Sequence, residues 1–279
     1  MAKLGAAFML GGLATATTLL LVRGHISQEL GLDAAGYFAA AWGITMTYVG
    51  FLLGAMGADY YPRLTEVIHN KVAAVRLIND QAQLGLAIGG PVLLLLVGLA
   101  PWMITLLFSS AFEPAVTLLQ WQMLGNVFKL ASWAMSFSIV AAARGKTFFL
   151  MELSFNIVFL GMVFIFLPQV GLDVTAYAFV LSYLVYLTIV YLLARSIHGF
   201  RWQTLSLGML GLHTSLGAAL LVLALMDPLA AAIASPLLFT ATGLFGLRVV
   251  LSKVGKHGRL PTRLYGIFER LGWLIKSAV

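Results

Sequence analysis

The sequence predicts an all-α fold, a polytopic bundle of about eight transmembrane helices with both termini in the cytoplasm. Three observations predict it. Of the 279 residues, 61% are hydrophobic and 10% are charged, whereas a soluble globular domain carries roughly 45–50% apolar and about 25% charged residues. The apolar residues fall in continuous runs of about 20, the length that crosses a hydrocarbon core of roughly 30 Å. Those runs do not alternate, as the strands of a membrane β-barrel would over segments of about ten residues. The composition excludes a soluble enzyme, a disordered chain and a secreted disulfide scaffold. Cysteine is absent, which removes disulfides, thiolate metal sites and a cysteine nucleophile. The net charge of +7 belongs to the basic loops of a membrane protein rather than to a nucleic-acid-binding surface.

The spans, in order, are Leu4–Val22, Tyr37–Ala58, Leu84–Phe108, Val116–Ala141, Phe148–Leu167, Thr175–Leu193, Leu205–Met226 and Leu229–Val250. The first is not a signal peptide: no small-residue cleavage site follows it, and Arg23 does. The basic residues set the orientation. With cytoplasmic termini, 15 of the 17 Lys and Arg fall inside, leaving Arg23 outside and Lys129 within a span. The outer loops are then Arg23–Gly36, Ser109–Ala115, Pro168–Val174 and Asp227–Pro228. They hold Glu29, Asp33, Glu113, Asp173 and Asp227.

Two inner segments are amphipathic. Pro62 is expected to open a helix carrying Leu64, Val67, Ile68, Val72, Val75 and Ile78 on one face, with Asp59 as its cap. Arg263–Lys276 places Leu264, Ile267, Phe268, Leu271, Leu274 and Ile275 opposite Arg263, Glu269, Arg270 and Lys276. That helix is expected on the anionic inner leaflet. The spacings Gly50-x3-Gly54 and Gly85-x3-Gly89 fit close helix approach.

Catalytic and nucleotide motifs are missing. No Gly-rich phosphate loop precedes a helix, and no His pair stands at metal spacing. The outer loops lack paired carboxylates for acid–base work. The chain is expected to be a non-enzyme without a cofactor.

The chemistry lies inside the bilayer. Lys129 sits near the middle of the fourth span, where a charge costs roughly 2.5–3.5 kcal/mol on insertion scales. Gln122, Asn126, Lys129, Trp133 and Ser136 recur at spacings of four, three, four and three, which makes one stripe along a helix. Two readings are open. The stripe lines a polar transport path, or it hydrogen-bonds between helices with Lys129 paired to a carboxylate. Glu152 is the candidate partner, but by helix rise its depth differs from that of Lys129 by about 10 Å. An unpaired cation would attract an anionic substrate such as a phosphate or pyrophosphate. Arg23 either lines the outer mouth of the cavity or pairs with Glu29 or Asp33. Glu152 and Asp59 are the candidates for ion coupling.

At these residues the chain resembles a known family. One block reads R-G-H-I-S-Q-E-L-G-L-D-A-A-G-Y-F-A-A-A-W-G-I-T from Arg23, with D-Y-Y-P-R-L-T-E from Asp59. A second includes L-L-Q-W-Q-M-L-G-N-V-F-K-L-A-S-W from Leu118 and A-R-G-K from Ala143. Together they look like the lipid-linked oligosaccharide flippases of the O-antigen and enterobacterial common antigen type, in the multidrug/oligosaccharidyl-lipid/polysaccharide exporter superfamily. The resemblance covers roughly residues 1–200. It implies a bacterial inner-membrane protein that moves an undecaprenyl-pyrophosphate-linked glycan between leaflets by alternating access, driven by an ion gradient. Lys129 matches the basic position of the family string. Relatives commonly carry Asp where Asn126 stands, so a proton-coupling role does not carry over to Asn126.

The family has two six-helix lobes with the substrate path between them. This chain resembles the second lobe, 1–200, followed by two additional helices, 201–255, and a cytoplasmic amphipathic tail, 256–279. The first lobe is expected from a longer reading frame or from a second chain. Partners expected on this reading are the lipid-linked glycan, membrane lipids and polysaccharide assembly proteins. Two alternatives belong beside it. A drug or cation antiporter of the same superfamily would want acidic residues deep in the spans. A non-transporting scaffold of polysaccharide assembly would need no transport path at all.

Overall fold

The computed structural model describes residues 2–254, 259–270 and 272. Among them the fold is entirely helical: α1 (Ala2–Leu30), α2 (Leu32–Val67), α3 (Lys71–Leu107), α4 (Ala115–Ala141), α5 (Gly145–Val170), α6 (Val174–His198), α7 (Thr204–Met226), α8 (Pro228–Val254) and α9 (Arg259–Arg270). Seven stretches are long and apolar enough to cross a membrane. One of them, Gly145–His198, runs 54 residues and takes in both α5 and α6, which a 3-10 turn at Gly171–Asp173 separates. The chain is a multi-pass helical membrane protein. Large apolar side chains on its outer face, such as Leu20, Phe51 and Leu106, are solvent for lipid rather than a liability in water.

The helix ends follow local chemistry. Gly31 adopts φ 90, a conformation a side chain resists, and breaks the chain between α1 and α2. Asn70 caps α3 by accepting from the Ala73 amide at 3.2 Å. Gly199, at φ 70, closes α6 as its amide bonds the Arg195 carbonyl. Asp227 accepts from the Ala230 amide at 3.0 Å and starts α8.

Helix α4 is central. In its apolar stretch 78% of the residues are buried, against 22% in that of α1. It divides two cores. One joins α1, α2, α5 and α6 to α4 through Phe38, Trp42, Phe155, Phe159 and Phe179. The other joins α3, α7 and α8 to α4 through Leu86, Leu94, Leu118 and Leu220. Glycines bring α3, α7 and α8 close. A β-carbon at Gly90 would meet the His213 ring closer than 3.0 Å, one at Gly98 would meet Ser235 and the Ala231 carbonyl, and one at Gly246 the Ala87 carbonyl. A polar knot fastens α7 to α3. Asn79 donates to the Arg201 carbonyl at 3.0 Å, and its oxygen accepts from the Gln203 amide and from Ser206, both at 2.8 Å. Gln83 donates to Ser206 at 2.8 Å. Lys253 of α8 pairs with Asp80 of α3.

Several expectations change. The outer loop Arg23–Gly36 is helical except around Gly31, because one glycine suffices to turn the chain. Pro62 opens no helix: α2 runs through it to Val67. The carbonyl its missing N–H leaves free belongs to Ala58, which is exposed, and the helix ends five residues later, so the break costs little. Asp59 therefore caps nothing and pairs along α2 with Arg63 at 2.9 Å. Gly50 and Gly54 are exposed with open space beside them, whereas Gly89 does meet Leu52 and Leu130 closely. In the amphipathic tail Phe268 is buried and Ile267 is exposed. Leu271, Leu274, Ile275 and Lys276 lie outside the described residues, as do the side chains of Arg263 and Leu264.

Candidate functional site

The polar stripe of α4 divides at its middle. The half toward its N-terminus is sealed. Gln122 and Asn126 are both 0% exposed. Thr45 of α2 donates to Gln122 Oε1 at 2.7 Å. Gln122 Nε2 and both polar atoms of the Asn126 side chain are buried without a hydrogen-bond partner. Unpartnered buried amides cost about 1–3 kcal/mol each, so this is the least settled polar group in the bundle.

The half from Lys129 onward opens into a cavity of about 270 Å³. Five helices build it: Thr15 from α1, Met46 from α2, Lys129, Trp133 and Ser136 from α4, Glu152 from α5, and Tyr183 and Tyr186 from α6. Lys129 is half-buried. Its Nζ lies 3.4 Å from Met46 Sδ and 5.4 Å from the centre of the Tyr183 ring. A thioether is a weak acceptor and a tyrosine face a modest one. Among the described residues no carboxylate comes within 4.0 Å of Lys129. Glu152 lines the same cavity and accepts from Tyr186 Oη at 2.5 Å. The two charges thus share one space without touching. The depth difference expected from helix rise does not keep them out of one cavity. Ser132 and Ser136 bond back to the Lys129 and Trp133 carbonyls at 3.0 and 2.8 Å, so both hydroxyls are occupied within α4.

Four expected site residues are elsewhere: Gln122 and Asn126, sealed within the bundle, do not line this cavity, and neither do Arg23 and Asp59. Arg23 is exposed on α1, outside this cavity, and among the described residues it makes no ion pair with Glu29 or Asp33. Asp59 is exposed and bound to Arg63. Tyr183, Tyr186 and Met46 are cavity residues that sequence reasoning did not single out. The three-residue spacing of Tyr183 and Tyr186, which puts both on one face of α6, is the signal that could have found the first two. Among the described residues, no group of three His, Asp or Glu side chains is placed to hold a metal ion.

What fold and cavity define together is a class: a multi-pass helical membrane protein with a small mixed-charge cavity at the meeting of five helices. Comparison with known proteins found no matching family model, no matching curated protein and no matching solved structure.

Proposed function

We propose that this chain is one lobe of a flippase that moves an undecaprenyl-pyrophosphate-linked oligosaccharide across the bacterial inner membrane by alternating access. The observation that carries this reading is Lys129, a half-buried ammonium in a cavity with no carboxylate in contact. An ammonium so placed is a ready partner for a phosphate oxygen. The family resemblance of the Arg23–Glu66 and Leu107–Lys146 blocks supports the same substrate. At about 270 Å³ the cavity suits a phosphorylated head group, not an oligosaccharide. The glycan therefore needs space supplied by the facing half, whether a first lobe or a second chain. Trp133 walls the site, and Glu152 is the group for ion coupling. The basic loops place both termini in the cytoplasm.

The test is complementation of a flippase-deficient strain with the full-length protein. Lys129→Ala abolishes glycan export and leaves insertion intact, while Lys129→Arg retains part of it. Normal export by the alanine variant would end the anion-site reading. One observation favours a second reading: Glu152 faces the cavity, and a cation antiporter needs an acid there. On that reading Glu152→Gln, not Lys129→Ala, abolishes resistance to a cationic drug.

A further inference from the structure

The aromatic wall of the Lys129 cavity has a second side. Phe8, Trp133 and Phe137 also line a second, apolar compartment of about 530 Å³. Its floor is α2. Trp42, Met46, Gly50, Gly54 and Gly57 follow one another at spacings of four, four, four and three, so they share one helix face. That face changes character along its length. A ring and a thioether stand beside the cation, and three glycines follow. From Gly50 to Gly57 the trough runs about 10 Å.

The glycines have different reasons. At Gly57 a β-carbon would stand 3.3 Å from the Trp133 ring, so the missing side chain lets the indole lie on α2. At Gly50 and Gly54 nothing lies within 4 Å of where a β-carbon would be. No neighbouring helix requires those two positions to be bare, and their bareness leaves an open channel on the bundle surface. An apolar trough separated only by aromatic side chains from a compartment that holds an ammonium matches an amphiphile, with its charge in one part and its chain in the other.

We propose that the α2 trough binds the prenyl chain of a phosphorylated lipid whose head group sits at Lys129. The inference rests on the anionic-lipid reading above and adds the seat of the chain. The occupant follows from two facts: the trough adjoins the cation's cavity across three shared aromatic side chains, and the cation has no carboxylate in contact.

The test uses the whole chain in detergent and native mass spectrometry with two probes, a long-chain polyprenyl monophosphate and geranyl monophosphate. Gly54→Leu has open space at its β-carbon, puts its side chain into the trough and weakens the long-chain probe by about tenfold or more, leaving the short one unchanged. Gly12→Leu, at an equally open glycine of α1 outside the trough, changes neither. Lys129→Gln weakens both. If Gly54→Leu binds the long chain like wild type while Lys129→Gln loses it, the trough assignment is overturned and the anion site stands. If Gly54→Leu weakens the long chain and Lys129→Gln changes nothing, the chain site stands and the anion site is overturned. Equal displacement of the probe by phosphatidylglycerol overturns the proposal. So does a change in oligomeric state with unchanged lipid binding, which would give the trough to a protein partner.

Discussion

Two asparagines show how differently the bundle treats the same side chain. Asn79 is saturated: it donates to two carbonyls and accepts from an amide and a hydroxyl. Asn126, equally buried, has no partner at either end. Removing a satisfied buried amide strands its partners, whereas removing an unsatisfied one relieves a cost of about 1–3 kcal/mol. Asn79→Ala is therefore expected to destabilise the protein by about 2 kcal/mol or more, and Asn126→Leu to leave it unchanged or more stable. Thermal melts of the purified protein in detergent measure both. A drop for Asn126→Leu as large as that for Asn79→Ala would show that Asn126 has a partner after all. The Lys129 stripe was legible from spacing alone, because a charge in an apolar run has few alternatives. Its division into a sealed half and an open half was not, since that depends on Thr45 and on the tyrosines of α6, none of which lies near α4 in sequence.

At the scale of helices, hydropathy located all the long elements, because a run of about 20 apolar residues has one stable form in lipid. The misses came from local rules that surroundings outweigh. Pro62 is a helix breaker in isolation, yet it sits where the orphaned Ala58 carbonyl is exposed. The small-residue spacing at Gly50 and Gly54 signals close packing, but here it marks empty space, while the tight contacts fall at Gly90, Gly98 and Gly246. Substitution separates the two kinds. Gly246→Ala drives a methyl into the Ala87 carbonyl and is expected to cost about 1–3 kcal/mol or more. Gly50→Ala meets nothing and is expected to stabilise by up to about 1 kcal/mol through helix propensity. Resistance to limited proteolysis reports both signs.

Across the whole molecule, charge sorts by end. The helix ends and turns where α1 meets α2, α3 meets α4, α5 meets α6 and α7 meets α8 carry five acids and Arg23, and most of the basic residues fall toward the opposite helix ends and turns. The absence of cysteine makes this directly measurable. With both termini in the cytoplasm, Ser110→Cys is labelled in intact cells by a membrane-impermeant maleimide, and His69→Cys only after permeabilisation. The opposite pattern would invert the topology. Which face the proposed second lobe would meet was not legible, because an apolar helix facing lipid and one facing a partner have the same composition.

The knot at Asn79 has a mechanical corollary. Helices α7 and α8 are riveted to α3 by that knot and by Lys253 with Asp80. Among the described residues, α1 is held to the rest by one side-chain hydrogen bond, Asn156 to Thr15 at 3.3 Å. A body that must gape and close would yield along its thinnest seam. In the proposed cycle α1 would shift at the loss of one polar contact and some apolar packing on α2 and α5, while α7 and α8 would travel with α3.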